Sequence, residues 1–353
     1  MDNITGCPWK PTHAVWELTL ACNMRCLHCG SYAGKPREDE ISLSRALELV
    51  DELADLGLQR ITLSGGEPLL RKDWDIIARK LVDRGVRVGF ISNGWFVEEN
   101  VDRFAAIGEL DVVAMSLDGL RRTHDAFRRT PGSYDKILSA FLALKKKKIR
   151  TACITCVSQY NIGELDVIHD VLVSHGVYAW QIQPLFIGGR TREYSDSMMI
   201  SNEQLYHVAK FIARKKRVSP MEVFPADGIG YYSPFDPIIR PNGWPGCQAG
   251  LRAIGIEANG NIKGCLSLLP EALKDNPFVE GNIKEKSLRE IWEKPDGFSY
   301  NRQFDPEKLE GFCKECPHAL ACRCGCSAEG FFALGTTYNN PYCIYRYICE
   351  QGI

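Results

Sequence analysis

Cys22, Cys26 and Cys29 put three thiols on one short stretch in the order CxxxCxxC. Cysteine thiolate is the usual ligand of iron–sulfur clusters, so this stretch can hold three irons of a [4Fe–4S] cluster. The fourth iron is then open to a small chelating molecule, which suits catalysis better than electron storage. A zinc site normally takes four ligands in CxxC pairs, whereas here three cysteines enclose His28 in the last gap. A disulfide framework does not suit a long chain whose first ten residues contain no apolar signal core.

A second array lies further on. Cys247, Gly260 and Cys265 are spaced C-x12-G-x4-C, and Cys313, Cys316, Cys322, Cys326 and Cys343 follow as C-x2-C-x5-C-x3-C-x16-C. The C-x2-C half also suits a pair of zinc ribbons. Between the arrays, Gly65-Gly66-Glu67-Pro68 follows a predicted strand. Its glycines allow close backbone approach to a ligand, and its carboxylate can take an ammonium group. The dinucleotide fingerprint GxGxxG is absent from this turn. Ser92 and Asn93, then Ser116 and Asp118, stand at the ends of two more predicted strands, where polar side chains face the mouth of a parallel barrel. Ser116 and Asp118 could equally be turn formers, and Arg128 a surface ion-pair partner. Cys153 and Cys156, on a predicted strand, read as buried inert thiols.

The CxxxCxxC stretch resembles the radical S-adenosylmethionine (SAM) superfamily, and the second array resembles the SPASM extension of those enzymes. The resemblance covers residues 12–349. It implies that the amino and carboxylate groups of SAM chelate the open iron. One electron then cleaves SAM to methionine and a 5′-deoxyadenosyl radical, which abstracts a hydrogen atom from the substrate. Carried over, Gly65, Gly66, Glu67 and Pro68 serve the SAM amino group. Ser92, Asn93, Ser116 and Asp118 serve its ribose and methionine, Arg128 its carboxylate, and His28 packs near the adenine. Cys313, Cys316, Cys322 and Cys343 hold an outer auxiliary [4Fe–4S] cluster. Cys247, Cys265 and Cys326 hold an inner one, making three clusters in all. Residues 248–264 contain no cysteine, so the fourth inner ligand is open. Cys324 could be that ligand, a hydrogen-atom donor or an inert thiol, and Cys7 and Cys349 have no assigned role.

The elements that must position these residues alternate. Strands are predicted over residues 15–20, 60–64, 86–92, 111–117, 150–157 and 178–184. Helices are predicted over 43–56, 74–84, 97–107, 134–147, 164–175 and 202–217, with Ser42 and Asp73 as N-caps. Such alternation means a parallel sheet with helices outside. Periodicity equally permits a closed eight-unit barrel or a doubly wound sheet. The resemblance implies an α/β partial (β/α)6 TIM-like barrel with a small C-terminal cysteine-rich SPASM domain. The expected division is an arm at 1–14, the barrel at 15–220, a linker at 221–246 and the auxiliary-cluster domain at 247–353. A hairpin around Asn259-Gly260 and a short helix at 287–292 are expected in the last part.

The 353 residues, 45% hydrophobic and 25% charged, suit a globular protein of one large and one smaller domain. A net charge of -1 provides no field for nucleic acid, and the run Lys145 to Lys148 reads as a solvated helix end. No run of about 18 apolar residues appears, so no membrane partner is expected. Fifteen cysteines, clustered and odd in number, fit metal ligation in a reducing compartment, hence the cytoplasm.

The resemblance implies an enzyme that modifies a ribosomally made peptide or protein by crosslinking, epimerisation or oxidation. The alternatives are maturation of a small cofactor, such as decarboxylation of a haem precursor, and oxidation of a small metabolite. Sulfatase-activating relatives carry an aspartate base where this chain has Leu266 and an aromatic where it has Gly30. Haem-type relatives usually have Arg-Ala where this chain has Gly30-Ser31. A low-potential electron donor of flavodoxin or ferredoxin type is implied. About fourteen residues before the first strand are too few for a winged-helix recognition domain. A peptide substrate would therefore use a separate recognition protein, or dock in the barrel mouth and against Phe224, Tyr231, Tyr232, Phe235 and Trp244.

Overall fold

The computed structural model describes residues 7–268 and 276–353, so residues 1–6 of the expected arm lie outside it. Seven strands follow one another: β1 His13–Glu17, β2 Arg60–Ser64, β3 Arg87–Ser92, β4 Val112–Ser116, β5 Thr151–Val157, β6 Ala179–Pro184 and β7 Glu222–Pro225. The helices between them are α1 Leu43–Asp55, α2 Trp74–Asp83, α3 Val101–Ile107, α4 Arg121–Arg128, α5 Ser133–Lys146, α6 Leu165–Ser174, α7 Ser195–Met198 and α8 Asn202–Val218. Three short strands come later: β8 Ala253–Ile256, β9 Asn261–Lys263 and β10 Gly281–Asn282. They form one sheet in the order β10-β9-β8-β1-β2-β3-β4-β5-β6-β7. From β8 through β1 to β7 every pairing is parallel. The barrel is partial, because β7 and β8 are not bonded to each other.

Local chemistry explains the boundaries. Ser42 caps α1 by accepting from the Arg45 amide, and Ala46, Leu49, Val50 and Leu53 bury one face of that helix. Ser201 and Gln204 form a reciprocal capping box at the start of α8. Inside the sheet–helix layer, Trp74 meets Phe90 edge-on at 5.3 Å, and Phe90 meets Phe104 at 5.1 Å. Each such buried aromatic stabilises the fold by on the order of 3 kcal/mol. Among the described residues no helix is long and apolar enough to cross a membrane.

The structure departs from expectation in four places. β1 ends at Glu17 rather than Leu20. The Leu20 amide turns aside to the Glu40 carboxylate, and the chain enters the cysteine loop. Asp73 does not cap α2 with its side chain, which instead accepts from Arg71. The helix α4 was not expected, because Arg-Arg-Thr-His-Asp-Ala-Phe-Arg has only two apolar residues, Ala126 and Phe127. It forms because Leu120 N and Thr123 Oγ1 bind the Glu164 carboxylate while His124 and Phe127 bury inward. The stretch expected to be a linker contains β7, paired with β6. β8, from the second cysteine array, pairs in parallel with β1. The Asn259-Gly260 hairpin is present as β8–β9, with Gly260 at φ +94°.

Candidate active site

The cysteine loop is tied down along its length. Cys22 N donates to Gly34 O at 3.1 Å, Leu27 N to Phe127 O at 2.9 Å, and Arg190 N to Cys29 O at 3.0 Å. Arg190 Nε also donates to Cys26 O at 2.9 Å. A Cβ on Gly189 would lie 2.3 Å from Cys29 O, so only glycine allows this approach. The glycine turn after β2 packs equally closely. Gly66 N donates to Thr19 O and Glu67 N to Ala21 O, both at 2.8 Å.

These contacts frame a cavity of about 340 Å³ at the C-terminal ends of the strands. Cys22, Cys26, His28 and Cys29 form one wall; Gly65, Gly66, Ser92 and Asn93 another; Ser116, Asp118 and Arg128 a third. Burial, with the neighbouring carboxylate and thiols, pushes the Cys22 thiol up to about 11 and also raises Cys26. Cys22, Cys26 and Cys29 line one cavity, and cysteine is the usual iron–sulfur ligand, so the donor set fits such a cluster.

Glu67 and Pro68 are buried behind this surface rather than on it. The Glu67 carboxylate accepts from Leu69 N at 3.3 Å, Ser92 Oγ at 2.9 Å and Asn93 N at 2.8 Å. Burial nevertheless pushes its carboxyl up to about 7. Glu67 thus braces the turn against the end of β3, and the backbone of Gly65 and Gly66 faces the cavity. Asn93 Nδ2 donates to Asn23 Oδ1 at 2.7 Å, which fixes it beside Cys22.

Asp118 joins the third wall together. It accepts from Arg128 Nε at 2.8 Å and from Cys156 N at 2.9 Å, and lies 3.3 Å from His28 Nε2. Burial works to raise its carboxyl, but Arg128 and His28 hold it well below the carboxylate range. Burial lowers His28 against the pull of Asp118, and the ring stacks on Phe127 at 4.2 Å and 13°. Arg128 is buried in this pair and is not a surface residue.

The second array divides into two groups. Cys313, Cys316, Cys322 and Cys343 line one small apolar cavity, walled by Tyr232 stacked on His318 at 4.2 Å. Cys324 lines the same cavity. Cys247, Cys265 and Cys326 form the other group. After burial and Glu329, their mutual proximity raises the Cys326 thiol. Burial pushes Cys322 and Cys343 up to about 12, and thiols are the residue type that ligates iron–sulfur clusters once deprotonated. Leu266 and Ser267, next to Cys265, reach the first cavity.

Several residues here escaped the sequence reading. Arg190 and Gly189 clamp the cysteine loop, and the Gly188-Gly189 pair after β6 was the available signal. Glu17 and Glu257 line the first cavity, and Lys263, fully buried, binds Glu257 at 2.6 Å. Glu329 also escaped it, and Tyr231, expected as a docking aromatic, is instead buried with Glu329 in a link to Cys326: Cys326 N donates to Tyr231 Oη at 3.0 Å, and Tyr231 donates to Glu329 at 3.3 Å. No spacing pattern marks these residues.

Comparison with known proteins shows the family. The family model for the radical SAM superfamily matches residues 16–172, and that for SPASM, an iron–sulfur cluster-binding domain, matches residues 247–317. The chain is 31% identical over 351 residues to the AdoMet-dependent heme synthase of Methanosarcina barkeri, covering 95% of this chain and 97% of that protein. It is 28% identical over 347 residues to the mycofactocin maturase MftC of Mycolicibacterium smegmatis, covering 95% and 83%. In fold it resembles Streptococcus suis SuiB bound to S-adenosylmethionine, with a TM-score of 0.73 at 15% identity over 94% of this chain and 76% of that one. The chain therefore belongs to the radical SAM superfamily, as an enzyme with a SPASM domain that uses SAM and iron–sulfur clusters.

Proposed function

We propose that this enzyme modifies a ribosomally made peptide or protein, by crosslinking, epimerisation or oxidation. The supporting observation is the wall of the cavity away from the cysteine loop. Ile154, Leu185, Phe186 and Leu266 present apolar surface there, beside the carboxylates of Glu17 and Glu257. Of the guanidiniums lining this cavity, Arg190 is engaged with the carbonyls of Cys26 and Ala33, and Arg128, paired with Asp118 beside Cys26, is the one assigned to the SAM carboxylate, which leaves none over for further carboxylates. An apolar peptide side chain suits such a wall better than a haem precursor bearing several carboxylates.

When bound, SAM on the cluster supplies one-electron cleavage and hydrogen-atom abstraction. This chain's residues hold and orient it. Cys22, Cys26 and Cys29 would hold the cluster. The backbone at Gly65 and Gly66 would receive the amino group, Arg128 the carboxylate, and Ser92, Asn93 and Ser116 the methionine and ribose. Asp118 would orient both Arg128 and His28, whose ring would flank the adenine. Two auxiliary clusters would occupy the outer and inner thiol sets, giving three in all. A flavodoxin- or ferredoxin-type donor, a separate peptide-recognition protein and a cytoplasmic location complete the proposal.

A second reading is decarboxylation of a haem precursor, favoured by the identity to the M. barkeri heme synthase across nearly its whole length. The two are separated by incubating the reconstituted enzyme, SAM and a reductant with peptides encoded beside its gene, or with an iron-loaded tetrapyrrole carboxylate. A mass change in a peptide with matching 5′-deoxyadenosine supports the proposal. Loss of carbon dioxide from the tetrapyrrole, with every peptide unchanged, replaces it with the second reading.

A further inference from the structure

One face of α8 meets the short helix α9, Asp236–Ile239, across an open groove of about 750 Å³. Phe211, Phe235 and Ile238 supply its apolar floor, and Lys210, Arg214 and Arg217 stand around it. Val218, 73% exposed, continues the apolar surface at one edge. No residue of this groove lines the cavity beside the cysteine loop.

The positive charge is not used up inside the molecule. Arg214 binds Asp166 at 2.9 Å, but among the described residues Lys210 and Arg217 have no carboxylate partner. Cations in the last turn of a helix answer its dipole, and that accounts for Arg217. Lys210 lies about two turns before the end of α8, beyond the reach of that effect.

Packing joins the floor of the groove to the outer thiols. Phe235 meets Tyr206 at 5.1 Å, and Tyr206 meets Tyr347 at 5.7 Å. Tyr347 belongs to the helix Ile344–Gln351, whose N-cap is Cys343, and Tyr347 N donates to Cys343 O at 3.1 Å. On the other side Tyr232, close in sequence to Phe235, stacks on His318 in the wall of the outer cavity. Electron-transfer encounters between proteins are small, below about 1,200 Å² in all, and are steered by opposite charge. An apolar floor ringed by cations, beside one thiol set, suits such an encounter. A second copy of this chain would bring like charges together. A substrate lying here would be outside the cavity where the chemistry is placed.

We propose that this groove is the docking face of the electron carrier, an acidic protein of flavodoxin type, which gives up its electron at the end of the molecule that holds the outer thiols. One electron passes from the reduced carrier to the enzyme, and no bond is made or broken.

The inference rests on the proposed carrier-fed radical SAM reaction, and the experiment separates the two. Reconstituted wild type, the double variant Lys210→Glu/Arg217→Glu and the control Lys146→Glu are given SAM and either a purified bacterial flavodoxin, kept reduced, or dithionite. Lys146 is an exposed cation in the last turn of α5, remote in sequence from the groove. The measurement is 5′-deoxyadenosine formation as flavodoxin and salt concentrations are varied. The double variant should need at least about tenfold more flavodoxin for half-maximal rate and should lose most of the salt dependence. Its rate with dithionite, and both rates of the control, should match wild type. Should the double variant also fail with dithionite, the neutral pair Lys210→Gln/Arg217→Gln decides, with an expected shift of about threefold. Equal flavodoxin dependence in wild type and charge variants, or an equal loss in the control, would overturn the docking face. Weakened binding of a peptide encoded beside the gene, with flavodoxin kinetics unchanged, would overturn it in favour of a peptide groove. Cleavage by the wild type with dithionite but never with flavodoxin would defeat the carrier reading itself.

Discussion

Asp118 and Arg128 form a buried ion pair in the wall of the cavity beside the cysteine loop, with Arg128 Nε 2.8 Å and Nη2 2.5 Å from the same oxygen, Oδ2. The other oxygen accepts from Cys156 N on β5, so the carboxylate is fixed to the sheet and the guanidinium is fixed to the carboxylate. Arg128 Nη1 also reaches to 3.8 Å from Cys26 Sγ. One residue at the end of β4 thereby aligns a cation with the cysteine loop.

Asp118→Asn should leave Arg128 charged and without its compensating partner. Breaking a buried pair in this way costs about 3–5 kcal/mol. The expected result is a lower melting temperature and SAM affinity weakened by about tenfold or more, equivalent to ~1.4 kcal/mol. Thermal unfolding and calorimetric SAM titration check both. Unaltered affinity would mean that Arg128 does not contact SAM.

Cys22→Ala, Cys26→Ala and Cys29→Ala should each abolish SAM cleavage and leave the auxiliary clusters in place. Three clusters correspond to about twelve irons per chain, and the triple variant should retain about eight. Anaerobic iron and sulfide analysis measures this. About four irons with bound zinc in the wild-type protein would favour zinc ribbons in the second array.

Gly66→Ala should disable the SAM site at little distance from it. The added Cβ would lie 2.3 Å from Ala21 O and 2.6 Å from Leu20 O, and both are backbone atoms that cannot swing away. The turn must then separate from the lead-in to the cysteine loop. SAM affinity should fall at least about tenfold, by ~1.4 kcal/mol. Gly163→Ala, whose Cβ would meet nothing within 4 Å, serves as the control and should bind SAM normally.

Lys263→Met should unsettle the β8–β9 hairpin. Lys263 is fully buried and holds Glu257 at 2.6 Å, so its removal leaves the buried carboxylate with only Arg37 at 4.0 Å and the Asn261 amide at 2.9 Å, at a cost of up to about 3–5 kcal/mol. Adding Glu257→Gln should restore most of the loss, because the charge goes with its partner. Burial works to raise the Glu257 carboxyl, but Lys263 holds it below its ordinary value. The pair therefore contributes fully above the unfolded carboxyl range of about 4.3, and the contribution is lost as pH falls through the lower folded value. Unfolding of wild type and variant as a function of pH should show their difference shrinking only in acid.

Much of the barrel was legible because its signals are local. The limits of β2 follow from five residues, Arg60–Ser64, and α1 from Ser42 and the helical spacing of Leu49, Val50 and Leu53. The elements that were not legible depend on distant partners. β7 and β8 are four residues each, and they are strands only because β6 and β1 offer edges to pair with. α4 is highly polar, and it is held by the Glu164 carboxylate from 41 and 44 positions further along the chain.

The candidate site divides in the same way. The sequence by itself determined the cysteine clusters, the glycine turn and the strand-end polar residues, because iron–sulfur ligation and close backbone approach restrict residue type at fixed spacing. Only the tertiary structure decided what those residues face. It turned Glu67 inward to three internal donors, buried Arg128 against Asp118, set Arg190 on the cysteine loop and placed Cys324 with the outer thiols. Spacing along a chain constrains which residues can share a loop. Which way a side chain points depends on which donors and acceptors would otherwise be buried without partners, and those come from other strands and helices.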